Sequence, residues 1–138
     1  MSRETDISES VLAYLNTWSA KPCEIEFELA MRKGISMKMQ PLSATVIKKK
    51  YITGSFVGDW PFAVYVRIHK ADTASRANAM KTLDALGRWI ATQPPPTIGA
   101  NRTANKVEIT GLPSIAARND DNSEEYQALY CMEYKQNI

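Results

Sequence analysis

The chain has 138 residues, enough for one compact unit with a hydrophobic core and too few for two ordinary domains. Apolar residues make up 44% and charged residues 23% of the sequence, which is typical of soluble globular proteins and excludes a disordered chain. The net charge of +2 is too small to indicate nucleic-acid binding by itself, and no apolar run is long enough for a signal peptide or a membrane span. We therefore expect a single domain over residues 1–138, made and kept in the cytosol.

The first predicted element is an amphipathic helix over about residues 7–20. Apolar side chains recur there at helical spacing, and Pro22 ends the pattern. The next stretch, Cys23–Lys33, alternates Glu with apolar residues as a strand does, although its Glu, Leu, Ala and Met favour a helix. We predict a strand there, with a helix as the alternative.

Central strands are predicted between about residues 35 and 69. Period-two alternation runs from Ile35 to Pro41, and Thr45–Ile52 is extended. The segment Phe62–Ile68 is apolar on both faces, which places it near the centre of the sheet. Glycines divide these strands: Gly54 and the pair Gly58-Asp59 mark turns or bulges.

A second helix is predicted over about residues 73–92. Asp72 caps its start, apolar residues follow at positions i, i+4, i+7 and i+11, and Pro94-Pro95-Pro96 ends it. Gly87 lies inside this helix at a cost of about 1 kcal/mol relative to Ala. We therefore expect Gly87 where the helix presses closely on the sheet.

The C-terminal strands are predicted over about residues 105–135. Lys106–Thr110 and Glu125–Lys135 have strand character, and the polar turn Asn119–Ser123 joins them into a late hairpin. The order helix, strands, helix, strands indicates an α+β fold. We predict a mixed, mostly antiparallel sheet with two main helices packed on one face. Tyr126, Tyr130 and Tyr134 share one face of the last strand.

The sequence predicts no catalytic residue, no metal and no cofactor. His69 is the only histidine and has no nucleophile motif nearby, while Cys23 and Cys131 stand far apart and are expected to be free thiols. No glycine pattern matches a phosphate-binding or dinucleotide-binding loop. The surface alternation of Glu24, Glu26 and Glu28 is typical of a solvated strand face rather than of a catalytic carboxylate pair.

Two regions are candidates for binding a partner. Lys48-Lys49-Lys50 is the only basic run, and we weigh a lysine-protected sheet edge against contact with DNA or an acidic partner, with Lys48 and Lys50 as the candidates. Phe56 and Trp60 belong to an aromatic cluster for which core and intersubunit roles are equally open. We predict on the second role that Trp60→Ala impairs assembly more than folding.

A third candidate is the segment Pro94–Thr103. Its prolines and polar residues predict a mobile, partner-binding loop, and Arg102 near its end is included among the interface candidates.

Several motifs follow one another in an order that resembles a known family. They are the turn Gln40-Pro41-Leu42, the strand Lys49–Gly54 with its "K-x-Y-x-x-G" pattern, Trp60-Pro61-Phe62, Leu86-Gly87-Arg88-Trp89, and the tyrosine-spaced tail Glu124–Lys135. This order resembles the minor capsid proteins of siphophages of Gram-positive hosts. The shape is also similar to the tail-terminator proteins of lambda-like phages.

The resemblance implies a mixed sheet with flanking helices and a hexameric ring on the last ring of the tail tube. It also implies binding to tail-tube protein and to a head-completion or neck protein, non-specific contact with DNA passing through the channel, and a place in the virion after assembly in the host cytoplasm. No membrane partner is implied. A head-side connector of the same phage class is the alternative. A small enzyme or ligand-binding domain, with a pocket among the tyrosines and His69, is the rival from another class.

Overall fold

The computed structural model describes residues 3–27, 35–42, 46–69, 72–99 and 101–137. The fold is α+β, with two helices and a mostly antiparallel six-stranded sheet, as the sequence predicts. In chain order the elements are α1 (Arg3–Leu15), β1 (Ile25–Glu26), β2 (Ser36–Pro41), β3 (Val46–Lys50), β4 (Phe56–Ile68), α2 (Thr73–Thr92), β5 (Arg102–Arg118) and β6 (Glu124–Gln136).

Strand β4 is the centre of the sheet, which confirms the prediction from its apolar residues. It pairs with β6 along its whole length, from Phe56 opposite Gln136 to Ile68 opposite Glu124. On its other side, β4 pairs with β3 near its start and with β2 near its end. These two short strands together occupy the position of one long strand. The sheet order is β1-β2-β4-β6-β5, and among the strands of the described ranges β1 and β2 are the one parallel pair.

One face of the sheet forms the core beneath the helices. Alternate residues of β6 are buried and the residues between them are half-buried, so this strand has one covered and one open face. Tyr126, Tyr130 and Tyr134 all lie on the covered face, as predicted. Helix residues that join the same hydrophobic cluster are Ile7, Val11, Leu15, Ala79, Leu83, Leu86 and Ile90.

Helix α2 has the predicted bounds because local chemistry sets both ends. The Asp72 carboxylate accepts a hydrogen bond from the Ser75 amide at 2.8 Å, and the chain leaves the helix before Pro94. Gly87 lies where the helix meets β5: a Cβ there would stand 2.5 Å from Ile109 Cδ1. The expected close approach is confirmed. Neither helix, within the described ranges, is long and apolar enough to cross a membrane.

Helix α1 ends earlier than predicted, at Leu15 instead of Ala20. The side chain of Asn16 makes two hydrogen bonds of 2.9 Å, one to the backbone N–H of Ile25 and one to its carbonyl. This tertiary contact holds the chain in a non-helical path toward β1, and local periodicity does not reveal it. The predicted strand Cys23–Lys33 is reduced to Ile25–Glu26 among the described residues, and positions 28–33 lie outside them.

The prediction of a turn or bulge at Gly58-Asp59 is wrong for that strand, because both residues lie inside β4. The irregularity is on the partner strand β3, between Ile47 and Lys49, opposite Gly58. Gly54 does form a turn: its φ is 93°, and its amide donates to the Tyr51 carbonyl at 2.9 Å.

Trp60 belongs to the core, with 3% of its surface exposed and its ring 5.6 Å from that of Phe62. This corrects the interface role given to Trp60, because its side chain is enclosed within the subunit. We now expect Trp60→Ala to lower the free energy of unfolding by about 3–5 kcal/mol, measured by urea denaturation. Fully exposed Ile52 is the control, and Ile52→Ala should change it little. Wild-type stability in Trp60→Ala together with failed assembly would restore the original prediction.

The contact between Gly87 and Ile109 predicts energetic coupling between the two positions. Gly87→Ala gains about 1 kcal/mol of helix propensity but forces the Ile109 Cδ1 methyl to move. Ile109→Val deletes that methyl. We expect Gly87→Ala to be more favourable in the Ile109→Val background, by about 0.5–3 kcal/mol in a double-mutant cycle of urea unfolding. Additive effects would show that the helix does not press on this side chain.

Candidate interaction surfaces

The strand pairing brings most of the sequence-predicted interface residues to one end of the sheet. Lys50, Phe56, Gln136 and Arg102 lie in one row across four strands, because each is the register partner of the next. Lys48 lies in β3, but its side chain is outside the described part. Residues separated by more than half the chain are therefore neighbours, and Trp60 is the one candidate that lies elsewhere, in the core.

The side chains of Phe56 and Arg102 already make contacts within the chain. The Phe56 ring meets that of Tyr134 edge-on at 6.1 Å, and the Phe56 side chain packs against the core. Arg102 donates to the Gln136 side chain at 2.9 Å and to the Ile98 carbonyl at 3.3 Å. Ile98 is itself buried, so the predicted Pro94–Thr103 loop is anchored near its middle. An interface role for Phe56 or Arg102 stays a prediction.

The next row of the sheet adds two cations that the sequence analysis did not select. Lys49, Val57 and Lys135 are register partners, and Tyr51 stands beside them. The ammonium groups of Lys49 and Lys135 lie 5.2 and 5.3 Å from the centroid of the Tyr51 ring. We call Lys49, Lys50, Arg102 and Lys135 the basic end. Its cations lie on both faces of the sheet: Lys50 and Arg102 are in the row of the covered face, and Lys49 and Lys135 are in the row of the open face. No local pattern could have selected Lys135, because only long-range pairing places it there.

A second surface is the outer edge of β5, on which no strand pairs among the described residues. Leu112 is 75% exposed, and Ile109 and Ile115 are each 41% exposed. Pro113 and four register shifts interrupt the strand. Bulges and prolines disfavour hydrogen bonding between a sheet edge and another strand. A partner would therefore contact this edge through side chains. We call it the β5 edge.

At the opposite edge of the sheet, the turn after β3 also exposes apolar side chains. Ile52 is fully exposed and Ile47 is 54% exposed. We call Ile47–Ile52 the β3 tip. The β5 edge and the β3 tip lie on different strands at the two sides of the sheet, so one subunit cannot bury either against the other.

A buried carboxylate forms the most connected polar cluster of the described residues. Glu124, at the start of β6, is 3% exposed. Its two oxygens accept hydrogen bonds from Arg76 of α2 at 2.9 and 3.0 Å, and the Tyr126 hydroxyl donates at 2.8 Å. Arg118 of β5 lies 3.3 Å away. Arg76 is the main reason that the pKa of Glu124 is lowered. The cluster links α2 to strands β5 and β6.

Two of the tyrosines to which the rival hypothesis gives a ligand pocket, Tyr126 and Tyr130, are occupied by contacts inside the fold. Tyr130 is fully buried, its hydroxyl lies 3.4 Å from the Leu83 carbonyl, and burial raises its pKa. Tyr126 is bound to Glu124, as above. Two cavities of about 190 and 490 Å³ lie instead beside Tyr14 and the Pro94–Thr97 segment. No group of three potential metal ligands occurs among the residues the structure describes.

The Glu124 cluster predicts a specific dependence of stability on pH. Because the folded-state pKa of Glu124 lies below its ordinary value of 4.5, its stabilisation is complete above pH 4.5 and is lost as the pH falls toward the folded-state pKa. We expect Glu124→Gln to lower the melting temperature at pH 7, and the difference from wild type to narrow below pH 4.5. Glu108→Gln, at an exposed ion pair with Lys106, is the control. A difference that does not vary with pH would contradict this account.

Comparisons with known proteins are informative for the fold alone. No protein-family model matches the sequence, and no curated protein matches it. A chain in the solved structure of the virion of a native gene transfer agent particle is similar in fold, with a TM-score of 0.54 at 11% identity. The match covers 97% of this chain and 92% of that chain. The overall fold of this chain is therefore similar to that of a chain of a virion particle.

Proposed function

We propose that this chain is a structural virion protein of a long-tailed phage. It forms a ring on the end of the tail tube, stops tube polymerisation and provides the surface to which the head joins. Its partners are further copies of itself, the tail-tube protein and a head-completion protein. It is assembled in the host cytoplasm and resides in the virion.

The observation that carries this proposal is the fold shared with a chain of a gene transfer agent virion. The alignment covers 97% of this chain and 92% of that chain, so the similarity extends over the fold as a whole and is not limited to one motif. This supports a phage-like structural role. The tail-terminator position is the finer part of the proposal, and it rests on the resemblance of the ordered motifs from Gln40 to Lys135.

The two apolar surfaces support ring formation. Heterologous contacts close a ring only when each subunit has two different, complementary surfaces. The β5 edge exposes Leu112, and the β3 tip exposes Ile52 on the other side of the sheet. We propose that they lie in the contacts between neighbouring subunits. Because the β5 edge is bulged, these contacts are made by side chains and do not extend the sheet.

The role requires no chemical step. Binding of a ring to the last layer of the tube covers the surface that the next tube subunit would use, so growth stops. The opposite side of the ring is then available to the head. The energy comes from apolar burial and shape complementarity at the new contacts.

The solution mass tests this proposal. We expect light scattering after size exclusion to give a hexamer, either for the purified chain alone or after addition of tail-tube protein. Leu112→Ser and Ile52→Ser should each weaken assembly about tenfold or more, because a buried Leu or Ile contributes about 1.5–3 kcal/mol. Phe27→Ser is the matched control, since Phe27 is 44% exposed but belongs to neither surface.

Two results would contradict the proposal. A chain that stays monomeric at all concentrations and ignores tail-tube protein is not a tail terminator. A ring that binds head-completion protein but not tube protein would assign the chain to the head side of the joint. Circular dichroism of each variant separates loss of assembly from loss of folding.

A further inference from the structure

The hydroxyl group of Tyr14 is buried without a hydrogen-bond partner. The side chain as a whole is half-buried, and its ring packs on that of Trp89 at a centroid distance of 5.2 Å. The hydroxyl oxygen is enclosed and has no partner among the described residues. Buried polar groups are nearly always paired, because an unpaired one loses its hydrogen bonds to water and gains none in return. Packing of the ring therefore does not explain why the residue is Tyr and not Phe.

Two cavities adjoin this side chain. They measure about 190 and 490 Å³ and share Tyr14, Gln93 and Pro95 as lining residues, so Tyr14 is part of the wall between them. Together they extend from α1 past the Pro94–Thr97 segment to the start of β5. Exposed residues line both cavities, which therefore open at the surface. We call the two cavities together the Tyr14 groove.

The lining of the Tyr14 groove is almost uncharged. Among the described residues that line it, Lys106 is the only charged one, and its ammonium lies 2.9 Å from the Glu108 carboxylate. A charged ligand would leave water without gaining an opposite charge, whereas amide groups can form hydrogen bonds with neutral polar side chains. The groove therefore suits an uncharged ligand rich in amides. The neutral polar residues that line it are Ser10, Thr17, Gln93, Thr97 and Asn105.

The shape of the groove favours a segment of polypeptide over a small molecule. Small-molecule sites enclose roughly 70–90% of their ligand, but this groove is open along its exposed residues. One wall is Pro94-Pro95-Pro96, which has no backbone N–H groups to donate to an added strand. A polyproline II segment needs no such donors, and its own carbonyls stay free as acceptors.

We propose that the Tyr14 groove binds an uncharged, proline-rich segment of a partner protein, and that Tyr14 turns to donate its hydroxyl to a carbonyl of that segment. The turn breaks no hydrogen bond of the hydroxyl within the described part of the chain, and it replaces an unpaired group by a paired one. Burial raises the pKa of Tyr14, so the hydroxyl keeps its proton for donation at neutral pH. The inference goes beyond the proposed function and does not depend on ring formation.

The test is fluorescence anisotropy of the full chain with labelled decaproline and, in parallel, with a labelled Gly-Ser peptide of equal length. Decaproline is uncharged apart from its ends, which are acetylated and amidated, and it is already in the polyproline II conformation. We expect decaproline to bind more tightly than the flexible peptide, because less conformational entropy is lost. Added salt should change its affinity little, because the groove offers no uncompensated charge.

Two variants with matched controls test the role of the groove. Tyr14→Phe removes only the hydroxyl and should weaken decaproline binding about 2- to 10-fold, while its melting temperature stays at the wild-type value or rises. Tyr51→Phe is the control, since Tyr51 is 37% exposed and lines neither cavity. Ala13→Trp fills the larger cavity and should abolish binding. Ala74→Trp, at the other end of α2 from Gln93, should not.

Equal affinity for the two peptides would overturn the inference, and so would wild-type decaproline binding in Tyr14→Phe or an equal loss in Tyr51→Phe. A Tyr14→Phe chain that melts at a lower temperature and still binds decaproline normally would show that the hydroxyl serves folding through an ordered water. Light scattering on the same samples keeps the two proposals apart. A ring that does not bind decaproline refutes only the peptide site, whereas a strict monomer that binds it refutes only the ring.

Discussion

The pairing of β4 with β6 is the constraint on which the rest of the structure depends. Thirteen consecutive residues of each strand are in register, so the side chains of both strands alternate in phase between two faces. A slip of one residue would exchange those faces and expose Phe62 and Tyr130, which stack at 5.4 Å in the core. The helices, the hairpin and the Glu124 cluster all take their places relative to this pair.

One covered face has a direct consequence for function. Both helices contribute to the same hydrophobic cluster, so they pack on the side where the tyrosines lie. The sheet edges and strand ends are then the regions where Leu112, Ile52 and the lysines are exposed. Within the β5 edge, Leu112 lies close in the chain to Ile109 and Ile115, and a group of exposed apolar side chains is typical of a contact with a partner. The architecture thus separates a closed core from exposed apolar side chains at both edges of the sheet.

The β5 edge and the basic end differ in their physical character. The β5 edge is apolar and irregular, which suits tight side-chain packing against another protein. The basic end is hydrophilic, and its cations are divided between the two faces of the sheet.

The sequence by itself determined the elements whose ends depend on local chemistry. The Asp72 cap and Pro94 set the bounds of α2, and the polar turn Asn119–Ser123 set the late hairpin, so the α+β architecture and the bounds of α2 were predictable. Hydrophobic period two also placed the three tyrosines on one buried face. These features require only interactions between residues close in the chain.

The tertiary structure decided what depends on long-range pairing. Three features depend on contacts between distant parts of the chain. They are the burial of Trp60, the early end of α1 at Asn16 and the ion pair between Arg76 and Glu124. The basic end is the clearest case, because Lys49 and Lys135 meet only through the register of β3, β4 and β6. Periodicity states which face a side chain occupies but not which strand lies beside it, so the candidate site was only partly predictable.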